Sequence, residues 1–137
     1  MIRTSLTALA FAAMIPALAQ AADLTPVDIV NRHMAAAGKG DIDAMANDYA
    51  DDAVVLTAGH ATQGKAAIRA MFDAMLGPKA KKSDIKPTKV WSDGDVGFVT
   101  WVMNAGTPGA VNGTDSFVVH HGKVVVQSVF IGGPPAN

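Results

Sequence analysis

Four histidines and twelve acidic residues, every one of them aspartate, carry most of the acid–base capacity of this 137-residue chain. There is no cysteine, which excludes disulfides, thiolate nucleophiles and zinc–thiolate sites and leaves imidazole and carboxyl groups for proton transfer. Two of these residues stand inside apolar patterns. His33 shares a helical face with Ile29, Val30, Met34 and Ala37. Asp115 precedes Phe117 and Val119 at strand alternation, so it points inward if they do. Burial of such a carboxyl raises its pKa by desolvation, and a positioned imidazole is a general acid–base group. Each has a plainer reading. A histidine on an apolar helix face is more often a satisfied buried group than a catalyst. Asp115 could equally begin its strand in solvent, hydrogen-bonded to the turn at Asn112-Gly113-Thr114.

The other polar motifs point elsewhere. Adjacent strand residues face opposite ways, so His120-His121 does not present two ligands to one ion, and no metal site is expected. His60 falls in a turn and is expected to be exposed. Lys79, Lys81, Lys82, Lys86 and Lys89 read as a solvated strand edge, with steering of an anionic substrate as the second reading. Asn112-Gly113-Thr114 fits a glycosylation acceptor, a motif common by chance. Trp91, Trp101, Met71, Met75 and Met103 read as core or subunit contacts.

Three helices must position these groups. Thr25-Pro26-Val27-Asp28 is a helix start with a capping-box pattern, and Gly38 is expected to stop that helix. Asp41 caps a second helix with Ile42, Met45, Ala46 and Tyr49 as its buried stripe. A strand at Ala53–Thr57 and a turn at Gly59–Gly64 lead to a third helix. Its stripe is Ile68, Met71, Phe72, Met75 and Leu76, ended by Gly77-Pro78. Strands then follow at Thr88–Trp91 (or from Ile85), Val96–Asn104, Asp115–His120 and Val124–Ile131, with hairpin signals at Asp93-Gly94-Asp95 and His121-Gly122. Helices first and antiparallel strands after is an α+β pattern. The last strand is apolar on both faces, which implies cover on both sides.

The first twenty-one residues read as an export signal. Arg3 supplies the positive start, Leu6–Ile15 an apolar run, and Ala19-Gln20-Ala21 the small-x-small cleavage pattern, with cleavage expected after Ala21 or, alternatively, Ala19. The run is shorter than the roughly 20 residues that span a bilayer. The expectation is a soluble periplasmic or secreted protein with one domain over residues 22–137. Losing Arg3 takes the formal charge from −1 to −2, which argues against nucleic acid as a partner.

The run Gly40-Asp41-Ile42-Asp43-Ala44-Met45, Tyr49-Ala50-Asp51-Asp52-Ala53 and Gly64-Lys65-Ala66-Ala67-Ile68-Arg69 resembles the start of the cone-shaped α+β barrels of the nuclear transport factor 2-like superfamily. Its members include ketosteroid isomerase and the SnoaL-like polyketide cyclases. The resemblance spans about Val30 to Ile131 and implies a curved, mainly antiparallel sheet wrapped around one deep apolar pocket. In the ketosteroid-isomerase-like register, His33 takes the place of the oxyanion-hole tyrosine, Thr57 that of the catalytic aspartate base, and Asp115 that of the second oxyanion donor. Tyr49 matches a supporting tyrosine and Phe72 replaces another. The resemblance thus implies a paired site of His33 and Asp115, within hydrogen-bond reach directly or through one water. A threonine hydroxyl cannot take a carbon acid's proton near neutral pH, so Thr57 argues against plain steroid isomerisation. Periodicity adds Met34, Phe98, Thr100, Phe117, Gln127 and Val129 to the expected pocket lining.

The leading expectation is an exported isomerase-, cyclase- or lyase-like enzyme without metal or organic cofactor, acting on a small hydrophobic oxygenated molecule. His33 would act as the acid–base group, and Asp115 would orient it or donate to a developing oxyanion. The alternatives are a non-catalytic carrier of a small hydrophobic ligand and a dimeric interaction module whose pocket is filled by its own side chains. A homodimer through the sheet is what the resemblance implies.

Overall fold

Thr25 opens helix α1, Pro26–Lys39, through a capping box: its hydroxyl accepts from the Asp28 backbone N–H, and the Asp28 carboxylate accepts from the Thr25 backbone N–H. The helix runs one residue past Gly38, and Gly40 caps it. Its buried face is Ile29, Val30, His33, Met34, Ala36 and Ala37. Helix α2, Ile42–Asn47, is capped by Asp41 and stops before Tyr49, which is buried as expected but belongs to a strand. The computed structural model describes residues 24–133. The expected leader at 1–21 and the end of the Gly-Gly-Pro-Pro tail lie outside them.

Strand β1 covers Tyr49–Thr57, and the expected turn after it holds a short strand, β2, His60–Gln63. Helix α3, Lys65–Leu76, ends at Gly77. The remaining strands are β3, Ile85–Asp93; β4, Val96–Met103; β5, Val111–His120; and β6, Lys123–Ile131. β5 starts four residues before Asp115 because Val111 to Thr114 pair with Met103 to Thr100 of β4. The six strands form one sheet in the order β2-β1-β6-β5-β4-β3, antiparallel except for the β1–β6 pair. Register shifts in β1 (between Tyr49 and Val54), β3 (between Pro87 and Lys89) and β5 (between Val118 and Val119) bend it around the helices. The result is the expected α+β cone, a curved and mainly antiparallel sheet wrapped around the helices.

Facing residues on neighbouring strands share a side of the sheet, so the pairing settles what points inward. Gly97 pairs with Phe117 and Phe117 with Gln127; Val99 pairs with Asp115 and Asp115 with Val129. Asp115, Phe117, Gln127 and Val129 therefore stand on the inner side, as alternation predicts. β4 runs one residue out of the expected phase. Val99 and Trp101 are buried inside, whereas Phe98 stacks on Trp91 outside, with ring centroids 4.4 Å apart. The Thr100 hydroxyl lies 2.7 Å from that of Thr88, also outside. Both alternations of β4 are apolar, so period two could not choose between them. Helix α1 chooses. It lies so close over Gly97 that a Cβ there would come within 2.7 Å of Val30 Cγ2.

Candidate functional site

Between the helices and the inner sheet face lies a cavity of about 680 Å³, within the range of small-molecule sites. Its wall is largely apolar. Met34 and Ala37 of α1, Met71, Phe72, Met75 and Leu76 of α3, and Ile85, Met103 and Val129 of the sheet supply it. Polar groups reach it at few points: His33, Asp115, Gln127 and the Trp101 indole, with Thr57, His60 and Thr62 contributed by β1 and β2. His60 is exposed, though in β2 and not a turn.

Asp115 is held from two sides. Trp101 Nε1 donates to Oδ1 at 2.9 Å, and Gln127 Nε2 donates to Oδ2 at 2.9 Å. Behind Gln127, fully buried Tyr49 donates its hydroxyl to Gln127 Oε1, and the amide nitrogen points toward Asp115, whose ionised carboxylate can only accept. Burial pushes the Asp115 carboxyl above its ordinary value, while the Trp101 N–H, the His33 charge and the Gln127 amide pull it back in that order. Burial, with the nearby charges of Asp115 and Asp48, pushes the Tyr49 phenol well above its ordinary range. Tyr49 is therefore a permanent donor in this chain of bonds.

The indole N–H and the amide nitrogen can only donate. In this arrangement a protonated Asp115 finds no acceptor in either of them, and the cavity is the side to which its O–H can be offered.

His33 is 2% exposed and ringed by aromatic edges, with Tyr49, Phe72 and Phe117 centroids at 5.6, 5.6 and 5.3 Å. Of the expected approach to Asp115, directly or through one water, the direct hydrogen bond is not formed: the Asp115 oxygens accept from Trp101 and Gln127. The carboxylate that His33 meets is Asp48, fully buried at the end of α2, with Nδ1 3.4 Å from Oδ2. Arg32 binds the other oxygen of the same carboxylate, its Nε 2.6 Å from Oδ1. With Nδ1 turned to Asp48, Nε2 is the ring nitrogen left for the cavity.

Of the expected lining residues, Met34, Thr57, Phe72, Gln127 and Val129 join His33 and Asp115 around the cavity. Tyr49 and Phe117 are fully buried just behind it, and Phe98 and Thr100 lie on the outer face. Sequence reasoning missed Asp48, Arg32 and the polar role of Trp101. The available signals were an arginine beside the helix histidine and an aspartate just before the buried tyrosine. Met71, Met75 and Met103, read as core or subunit contacts, line the cavity.

The model of the SnoaL-like domain matches residues 30–127. Among solved structures, the chain is similar to a candidate polyketide cyclase from Sinorhizobium meliloti, at 32% identity, covering 75% of this chain and 94% of that one with a TM-score of 0.65. It is also similar in fold to an epoxide hydrolase/cyclase-like enzyme of pyran ring formation in the polyether salinomycin (23% identity, 79% and 95% covered, TM-score 0.65). A candidate ketosteroid isomerase from Kribbella flavida shares the fold at 14% identity, with 82% and 83% covered and a TM-score of 0.69. No curated protein matches the chain.

Proposed function

The chain belongs to the SnoaL-like family, and from that premise we propose that it is an isomerase- or cyclase-type enzyme whose own His33 and Asp115 move the protons. Its substrate is a small, mostly apolar molecule bearing oxygen, and its cavity is the site. The observation that carries this reading is the meeting, in one apolar cavity, of an imidazole backed by a carboxylate and a carboxyl group driven toward its neutral form. Such a pair is matched to opposite tasks. His33 Nε2 accepts a proton from a carbon next to a carbonyl or from an attacking hydroxyl. Asp115 donates its O–H to the oxygen on which charge develops, and the proton held by His33 then returns to product or solvent.

A panel of unsaturated cyclic ketones, followed for isomerisation, and of hydroxy-epoxides, followed for ring closure, tests the proposal. Turnover of one class is expected. His33→Phe and Asp115→Asn should each lower it by about 10²-fold or more, the span of a positioned acid–base group, with the circular dichroism unchanged.

Thr57 favours a second reading. It brings a hydroxyl, bonded to the His60 carbonyl at 3.5 Å, where a carboxylate base would stand in a ketosteroid-isomerase-like site. A carrier for an apolar ligand needs no base there. Absence of turnover for both classes, with apolar ligands bound and affinity kept in His33→Phe, would decide for the carrier.

We infer further that the protein is exported and that it pairs with a second copy. The leader pattern at 1–21 supports the first. Trp91 and Phe130 on the outer side of the sheet, 40% and 64% exposed, support the second.

A further inference from the structure

The buried carboxylate of Asp48 is shared unequally. Arg32 places both Nε, at 2.6 Å, and Nη2, at 2.5 Å, on Oδ1 alone. Oδ2 is left with one polar neighbour, His33 Nδ1 at 3.4 Å, a contact not aligned as a hydrogen bond. Those two atoms are the buried side-chain polar atoms without a hydrogen bond among the described residues. Elsewhere around the imidazole stand the rings of Tyr49, Phe72 and Phe117, and Asp115 acts on it through its charge. The main chain of Asp48 is bonded on both sides: its N–H donates to the Met45 carbonyl at 3.1 Å, and its carbonyl accepts from the Val124 N–H at 2.9 Å.

A guanidinium has donors only, and an ionised carboxylate has acceptors only. With Oδ1 occupied by Arg32, the one polar atom facing Nδ1 is an acceptor, which favours the tautomer with the proton on Nδ1. We propose that Asp48 is the positioning residue of His33, and that Arg32, by taking Oδ1, turns Oδ2 to Nδ1 and keeps Nε2 free as the proton acceptor in the cavity. The inference rests on the reading of His33 as the acid–base group. It adds two residues that touch no substrate and assigns them the choice of tautomer, a device that orients the imidazole as well as selecting its basic nitrogen.

Asp48→Asn isolates the claim, because it preserves shape while replacing one oxygen by a donor. Arg32 cannot face an amide nitrogen, so it keeps the asparagine oxygen and the NH₂ group falls opposite His33. Nδ1 then has to accept, and the proton moves to Nε2. In Arg32→Met/Asp48→Asn the amide is free to turn its oxygen back to Nδ1. Nitrogen-15 NMR of the neutral His33 ring reads this directly. The wild type and the double variant should show a protonated Nδ1 and an imine-type Nε2, and Asp48→Asn the reverse. In the turnover assay, Asp48→Asn should lower kcat about 10²–10⁴-fold with KM nearly unchanged, and the double variant should recover at least part of it.

A proton on Nε2 in the wild type, a measurement that needs no variant to fold, overturns the proposal. So does a folded Asp48→Asn with the wild-type tautomer. A wild type without turnover would sink the catalytic reading alone, because the tautomer pattern is measured without substrate.

Discussion

The indole of Trp101 occupies the space that a side chain at Gly113 would fill. The two residues face each other across β4 and β5, and a Cβ at Gly113 would lie 2.2 Å from Trp101 Cζ2 and 2.6 Å from the Phe130 carbonyl oxygen. Absence of that side chain lets the ring lie over the neighbouring strand, where its N–H reaches Asp115 at 2.9 Å. A glycine in a strand interior is weak in itself. Here it is the reason an aromatic residue can serve a carboxyl group two positions along the next strand.

Gly113→Ala should therefore displace the indole as well as crowd the sheet. Overpacking of this kind costs about 1–3 kcal/mol, to be read as a lower denaturant midpoint at constant slope. Near-ultraviolet circular dichroism should change with it. A variant of wild-type stability with an unmoved tryptophan signal would show that the close approach relaxes freely.

Asp115 should make stability depend on pH in a defined direction. Its folded-state pKa lies above the ordinary value of an aspartate carboxyl, chiefly through burial, so the protonated form favours folding. That contribution is complete below the unfolded value and is lost as pH rises through the raised folded value. Asp115→Asn does not titrate. Its stability relative to wild type should rise across this window and then level off, on top of a constant difference from the changed hydrogen bonding. Trp101→Phe removes the strongest of the forces pulling Asp115 down and should extend the window at its upper end. Denaturant unfolding from pH 3 to 8 measures both, and parallel curves for wild type and Asp115→Asn would contradict the expectation.

Ligand entry should be seen by one tryptophan and not the other. Trp101 lines the cavity, whereas Trp91 stacks on Phe98 outside it. An apolar ketone that binds should stabilise the fold by about 2.7 kcal/mol at a free concentration of 100 times Kd. The accompanying fluorescence change should survive Trp91→Phe and disappear in Trp101→Phe. Survival in both would place the ligand elsewhere.

The outer sheet face should carry the subunit contact. Trp91, Val96 and Phe130 are exposed there at 40%, 42% and 64%. Sedimentation is expected to give a dimer, and Val96→Asp a monomer that keeps the cavity and its ligand. A monomeric wild type at working concentration would remove the proposal of a homodimer.

Export is checked at the amino terminus. Sequencing of protein from the periplasm or medium should begin at Ala22, after the Ala19-Gln20-Ala21 pattern. A product that keeps Met1 would end that expectation.

Much of this molecule is legible residue by residue because the signals are local. The Thr25 capping box, the apolar stripe of α1, the Gly77 stop and the strand order after α3 each depend on residues within a turn or two of one another. Asp115, Phe117 and Gln127 could be placed inward because their strands offer the core a clear alternation or a buried run. β4 offered two apolar faces, and there the choice passed to α1, which accepts Gly97 against Val30 and forces Phe98 and Thr100 outward. Tyr49 looked helical by spacing and became a strand residue because β1 pairs in parallel with β6, a contact with the far end of the chain.

The site depended still more on distance. Sequence alone marked His33 and Asp115 as the acid–base candidates, but not their partners. Arg32 and Asp48 lie 16 residues apart, Trp101 and Asp115 14, Tyr49 and Gln127 78. A hydrogen bond needs its two atoms within about 3 Å in the right direction, and no local pattern specifies that across such separations. Packing of α1 on the sheet turned His33 toward Asp48, and the β4–β5–β6 register gave both oxygens of Asp115 to Trp101 and Gln127. Residue types thus determined which chemistry the chain could hold, and tertiary contacts decided which atoms would carry it.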